Sequence, residues 1–294
     1  MGVRVRFRSS SERIDATVER AFGHWRALPA AHIDPGAPLD ITLIERPASA
    51  PAGRLTTHYG SGWLIVSDGD STLTACIDRG AAFALVSAAL VDDERRFRHE
   101  IVECAALLLV SRRDRTPVHA SSVVRHGVAV AFVGASGAGK STLTYACLRA
   151  GFDLLSEDVL HCSRHPVRRY WGNGGQVRLM PDSARWFPEL ESLEPRLLEN
   201  GKTKRVVTIE RNSLTADAAV FCLLERGAGG DTRIEPSTPA ELAVAVGTRL
   251  ESGFDLFPDV GLLASEVPAA AVLRLIVGND PRRAVDLIRG LVHA

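Results

Sequence analysis

The chain has 294 residues, 46% of them hydrophobic, which is enough to bury one large core or two smaller ones. Its 35 basic and 35 acidic residues cancel, so no net field draws it to nucleic acid or to an anionic membrane, and no apolar run reaches the roughly 18 residues of a membrane span. The five cysteines (Cys76, Cys104, Cys147, Cys162, Cys222) are scattered without a C-x-x-C pair, which argues against a disulfide framework or a zinc site and for buried free thiols.

The opening MGVRVRFRSSSERID lacks the apolar stretch of a secretory signal, so the expected location is the cytoplasm. Within the basic total, 32 Arg stand against three Lys, at 140, 202 and 204. Arg serves wherever positive charge alone is needed, so the lysines mark places that call for a compact ammonium.

In chain order, VRVRFRS (3–9) alternates like an edge strand, and 11–28 sets Ile14, Val18, Ala21, Phe22, Trp25 and Leu28 on one helical face. PLDITLIER (38–46) and GWLIVSDGDSTLTACID (62–78), the latter turning at 67–70, read as strands that include a hairpin; helical patterns follow at about 81–91 and 94–111. Residues 1–111 thus form a small α+β domain, and SRRDRTP (111–117) is the junction to the rest.

PVHASSVVRHGVAVAFVG (117–134) holds two apolar runs about Arg125-His126-Gly127, a hairpin that delivers the strand 128–133 into FVGASGAGKST (132–142). A helix over 141–150 ends at Gly151, and FDLLSEDVLHC (152–162) is the next strand. Further on, Thr238, Pro239 and Glu241 make a capping box, and 270–292 reads as a strand, a helix start at Asp280-Pro281 and a closing amphipathic helix. The expected fold class is α/β: a P-loop-containing domain over 117–294 with the smaller α+β domain in front of it.

Gly134, Ala135, Ser136, Gly137, Ala138, Gly139, Lys140, Ser141 and Thr142 fit G-x-x-x-x-G-K-[ST] between a buried strand and a helix. In that pattern glycines let main-chain amides curl around phosphate, the helix N-terminus adds positive potential, and Lys140 reaches the β and γ oxygens of ATP. Ser141 is placed to hold Mg²⁺ through its hydroxyl.

Glu157 and Asp158 follow the loop by one helix, near the carboxyl end of a strand, where open α/β sheets hold ligands. Adjacent acids on a strand point to opposite faces, so both reach one site only if the strand has already ended. Asp158 is favoured for metal or base work, with Glu157 as its rival. If the hairpin is centred on His126, His119 lies opposite Val133 at the loop mouth, whereas His24, His32, His58, His99 and His293 have no such placement. Lys202 and Lys204 either contact phosphate or substrate or form a solvated basic turn, and Arg178 is a weaker cationic candidate.

His119, GASGAGKS, LLSED (154–158) and NGKTK (200–204) together resemble the HPr kinase/phosphorylase family and its divergent relatives, among them the kinases of ribosomally made peptide clusters such as those that modify lasso peptides. The resemblance covers about 117–210. It implies an HPr-kinase-like fold, ATP and Mg²⁺ as cofactors, one acid of the pair as general base on a serine hydroxyl, the other as metal support, and a homo-oligomer. Where that family carries Asp-Asp, this chain has Glu157-Asp158, and no equivalent of its late basic loop is visible, which turns the expectation away from HPr itself and from phosphorolysis. The expected activity is serine phosphorylation of a protein or ribosomally made peptide. The alternatives are a nucleotide-binding switch with slow hydrolysis and a kinase of a small hydroxylated metabolite.

Overall fold

The computed structural model describes residues 1–47, 50–163, 168–198, 201–227, 230–247 and 267–292; Asn200, His293 and the tail of the capping-box pattern at 248–250 lie outside them. The chain divides into two compact units, Met1–Arg115 and Thr116–Ala294, and both mix helices with sheet.

The first unit runs β1 (Val5–Ser9), α1 (Glu12–Phe22), β2 (Leu39–Arg46), β3 (Thr56–Gly60), β4 (Trp63–Ser67), β5 (Thr72–Cys76), β6 (Ala81–Ser87), α2 (Ala88–Asp92), α3 (Glu94–Arg96), a π-helical stretch Phe97–Glu103 and α4 (Cys104–Ser111). Its six strands order as β1-β2-β6-β5-β4-β3, with β1, β2 and β6 parallel and the others antiparallel. Ser11 caps α1 by accepting from the Ile14 N–H, which buries Ile14 and Ala21 on the inner face of the helix.

Two expectations fail in this unit. The helix does not continue to Leu28: α1 ends at Phe22, and Gly23–Ala27 tighten into a 3-10 turn, consistent with the poor helix propensity of glycine. Residues 81–87 are not helical but form β6, with Ala82, Ala84 and Val86 buried on one side. Alanine favours helices in isolation, yet here a parallel partner, β2, and an antiparallel one, β5, impose the period of two.

The second unit contains β7 (Thr116–His119), β8 (Ser121–Arg125), β9 (Val128–Val133), α5 (Lys140–Arg149), β10 (Asp153–Ser156), β11 (Val159–Ser163), β12 (Arg169–Trp171) and β13 (Gln176–Leu179). After 3-10 turns at Pro181–Arg185 and Pro188–Ser192 come β14 (Arg196–Leu197), β15 (Thr203–Thr208), β16 (Thr215–Ala216), β17 (Ala218–Arg226), β18 (Arg233–Pro236), α6 (Pro239–Gly247), β19 (Val272–Val277) and α7 (Ala284–Leu291). The main sheet orders as β10-β8-β9-β17-β19-β18, flanked by β16-β12-β11-β7 and by β13-β15-β14.

Strand directions decide where a ligand can sit. β17 runs parallel to β9 and β19 parallel to β17, while β10 reaches the direction of β9 through antiparallel β8. The carboxyl ends of β10, β9, β17 and β19 therefore share one edge of the sheet, the edge where doubly wound folds bind ligands. The strands are buried on both faces: Phe132, Cys222 and Leu224 pack with α5 and α7 residues such as Cys147 and Ile288, and Ala131, Phe221 and Leu223 pack with Leu160, Tyr170 and Leu242.

The hairpin register differs from the expectation. His126 and Gly127 both take positive φ, 54° and 77°, and close a two-residue turn that pairs Arg125 with Val128 and Ser121 with Phe132. The pairing stops there. His119 is not opposite Val133: the chain leaves the main sheet at Ala120, and His119 pairs with Val159 in the second sheet. Likewise 152–162 is not one strand but two, β10 and β11, which belong to different sheets, with Glu157 and Asp158 in the break between them.

Gly172 packs directly against the main chain just before that break. A Cβ on it would lie 1.8 Å from the Leu155 carbonyl oxygen and 2.3 Å from the carbonyl carbon, so main chain would have to move. Gly172→Ala is expected to destabilise the unit by about 3 kcal/mol, the upper end of overpacking costs. The readout is a lowered urea midpoint with unchanged slope; a midpoint equal to the parent's would show that the backbone yields freely.

The capping box forms as expected: the Glu241 N–H donates to Thr238 Oγ1, and the Thr238 N–H donates to Glu241 Oε2, both at 3.2 Å. The five cysteines are free, with four buried and Cys104 half-buried. Among the described residues, no helix is long and apolar enough to cross a membrane.

Candidate active site

The shared strand edge opens into a cleft of about 570 Å³ within the second unit, and Ser136–Leu143 form its floor. The loop is shaped by two glycines with positive φ, Gly137 at 82° and Gly139 at 101°; a Cβ on either would meet nothing within 4 Å, so the space in front of the loop is open. α5 begins at Lys140 and aims its N-terminus into that space. Gly134 and Ala135 precede the lining residues, and their carbonyls accept from Lys140 Nζ at 2.8 and 3.4 Å. Behind the loop, Thr144 shares a hydroxyl–hydroxyl hydrogen bond with Ser121 of β8, at 2.7 Å, which fixes α5 to the sheet.

Glu157 and Asp158 both line the cleft, which the strand break permits, but their surroundings differ. The Glu157 side chain is only 10% exposed. Its Oε1 accepts the Arg178 N–H at 2.7 Å, and its Oε2 faces Arg178 Nε at 3.0 Å. Burial pushes this carboxyl above its ordinary value, and Arg178, Lys204 and the Arg178 N–H pull in the other direction. The Asp158 side chain is 50% exposed, with Oδ1 3.4 Å from Nδ1 of buried His119, an ion pair when that imidazole is protonated. His119 therefore reaches the loop mouth, by a different route from the hairpin register.

β15 brings the scarce lysines in. Arg178 pairs with Val206, and position 204 shares the face of 206, so Arg178 and Lys204 approach the acids from the same side. Lys202 Nζ donates to Ser136 Oγ at 2.8 Å. The loop (Ser136 to Thr142), His119, Glu157, Asp158, Arg178, Lys202 and Lys204 thus all border one cavity, from segments as far as 85 residues apart in the chain (119 against 204).

Several cleft residues have no mark in the sequence. Arg226, at the end of β17, donates from Nη2 to the Gly137 carbonyl at 3.0 Å. Asp182, Arg185, Trp186 and Asn279 also line the cleft. Arg226 and Arg185 are two of 32 arginines, so type alone does not single them out, and their contacts depend on tertiary neighbours.

The site fits magnesium only in the company of phosphate. Among the described residues, no group of three or more His, Cys, Asp or Glu side chains could hold a metal. Mg²⁺ bound to nucleotide needs just one or two protein oxygens, the rest coming from phosphate and water. The Ser141 hydroxyl and the exposed Asp158 carboxylate meet that need, whereas Oε1 and Oε2 of Glu157 are both turned to Arg178.

Glu157 makes one consequence measurable. Because its folded carboxyl titrates above the unfolded value, it costs stability as pH rises through the interval above the ordinary Glu pKa, and acid relieves that cost. Glu157→Gln keeps an acceptor for the Arg178 N–H and removes the buried charge. Its urea midpoint at pH 7 is expected to equal or exceed the parent's, with the gap closing in acid. A clear fall at pH 7 would mean that the Arg178 pair outweighs the cost of burial.

No family model matches the chain, and no curated protein matches it. Among solved structures it is similar to the HPr(Ser) kinase/phosphatase from Coxiella burnetii, at 12% identity and a TM-score of 0.31, over 60% of this chain and 93% of that one. A likeness this slight carries nothing about activity.

Proposed function

We propose that this chain is an ATP-dependent, HPr-kinase-like enzyme that phosphorylates a serine hydroxyl of a protein or peptide. The observation that carries the proposal is the convergence of the phosphate loop with Asp158, His119 and three cations in one cleft at the carboxyl ends of parallel strands. A nucleotide switch needs the loop and mobile neighbours; it does not need an exposed carboxylate beside a histidine at the loop mouth.

The residues divide the work by position. Main-chain amides of 136–141 and Lys140 Nζ grip the β and γ phosphates, and the Ser141 hydroxyl would supply the protein oxygen for Mg²⁺, leaving Asp158 for proton transfer. When bound, Mg²⁺ neutralises developing charge on the phosphate oxygens. Asp158 takes the proton of the acceptor hydroxyl as its oxygen bonds to the γ-phosphorus and the bond to the β-γ bridging oxygen breaks, leaving ADP. Lys202, Lys204 and His119 hold charge around the transferred group. Glu157, pinned by Arg178, fixes the geometry of the break next to Asp158.

Incubation with γ-labelled ATP and Mg²⁺, with and without serine-containing peptides, tests this. ADP release that depends on peptide, with label and the mass of one phosphate on its serine, is the expected result. Acceptor-independent turnover would overturn it in favour of the switch, and label on a small alcohol alone would redirect it to metabolites.

A further inference from the structure

The two ends of the cleft differ in chemistry. Glu157 and Asp158 follow β10, on one side of β9 and its loop, and β17 and β19 lie on the other side. A triphosphate is linear, so if the acids act on its γ end, the α-phosphate and nucleoside lie toward β17 and β19. This step rests on the proposed function.

That far end is built of flat surfaces. The 3-10 turn Pro181–Arg185 stands beside the first turn of α5, with Ser183 Oγ 3.3 Å from Thr142 Oγ1. Arg185 is exposed, lines the cleft and stacks its guanidinium 3.7 Å from the centre of the Trp186 ring. The Trp186 indole N–H in turn donates to the Asn279 carbonyl at 3.1 Å, which ties the turn to the segment after β19. In that same segment the Val277 carbonyl accepts the Gly227 N–H at 3.0 Å, and Gly227 and Gly278 line the cleft with no side chain. A Cβ at Gly278 would lie 2.0 Å from the Gly230 carbonyl oxygen, so this wall stays bare backbone.

We infer that the stacked Arg185–Trp186 pair, together with the adjoining glycine segment and Asn279, is the nucleobase subsite of the cleft. Heteroaromatic bases stack on guanidinium planes and on aromatic rings, and a guanidinium already ordered by an indole gives up little freedom in doing so. Asn279, exposed at the rim, offers an amide donor and acceptor to the edge of the ring. The role of Trp186 is positioning: it orders Arg185 and holds the two walls together.

The test compares ATP with tripolyphosphate, each with Mg²⁺, by equilibrium binding to the full chain and to Arg185→Ala, Trp186→Leu and Lys140→Ala. The parent should bind ATP more tightly than tripolyphosphate. Arg185→Ala and Trp186→Leu should weaken ATP by about tenfold, the scale of one base-stacking contact, and leave tripolyphosphate unchanged. Lys140→Ala should weaken both ligands. Arg185 is exposed, so its truncation leaves the core intact, and ATP should alter indole fluorescence in the parent where tripolyphosphate does not. Equal losses on both ligands, or an Arg185→Ala variant that binds ATP like the parent, would overturn the subsite while leaving the phosphate cradle standing. A parent that binds neither ligand would remove the nucleotide reading itself, and the subsite with it.

Discussion

Lys140→Ala is expected to lower phosphoryl transfer by about a thousandfold or more, the cost of removing a charge aimed at the migrating group. The structure separates this from a folding effect. Lys140 Nζ donates to two carbonyls of its own loop, at 2.8 Å to Gly134 and 3.4 Å to Ala135, and its side chain borders the open cleft, so truncation leaves no cavity in the packed core. Thermal midpoints of parent and variant should agree within a few degrees while turnover falls. Lys140→Arg should not rescue. Its planar fork is broader than an ammonium, and this chain, with 32 Arg and three Lys, uses lysine at the one position where the loop closes around the charge. Parent-like turnover in Lys140→Ala would remove the loop from the mechanism.

The loop was legible because everything it needs is local. Gly134 to Ser141 span eight positions, the positive φ of Gly137 and Gly139 is a property of glycine itself, and strand and helix flank the motif directly. The capping box at Thr238 and Glu241 was legible for the same reason. The hairpin register is less legible, since a turn centred on His126 and a turn of His126 plus Gly127 differ by one in every pair.

What was hidden depends on partners distant in the chain. β6 reads as helix from its alanines until β2 and β5 are placed on either side of it. Nothing in FDLLSEDVLHC announces that its halves enter two sheets, yet that split is what turns both acids to one cavity. The pairing of Glu157 with Arg178 spans 21 positions, that of Arg226 with Gly137 spans 89, and that of Trp186 with Asn279 spans 93. Lysine scarcity was the one compositional clue that crossed such distances: all three lysines border the same cleft.

Asp158→Asn is expected to cut transfer by about 10²- to 10⁴-fold, the range for loss of a general base, while the affinity for Mg-ATP stays within about threefold. Glu157 is 10% exposed, with Oε1 accepting the Arg178 N–H and Oε2 in an ion pair with the Arg178 guanidinium, so it cannot approach an acceptor without breaking that pair. Asp158 is half exposed, and its Oδ1 lies 3.4 Å from His119 Nδ1, which leaves Oδ2 for the incoming hydroxyl. Asparagine preserves the shape and can still donate toward phosphate, but it cannot take a proton. If Asp158 served mainly to hold the metal, the variant would instead lose Mg-ATP affinity and regain turnover at high Mg²⁺. Titrating Mg²⁺ at saturating acceptor distinguishes these outcomes: turnover that stays low at every concentration supports the base, and turnover that climbs back to the parent rate moves the proton transfer away from Asp158.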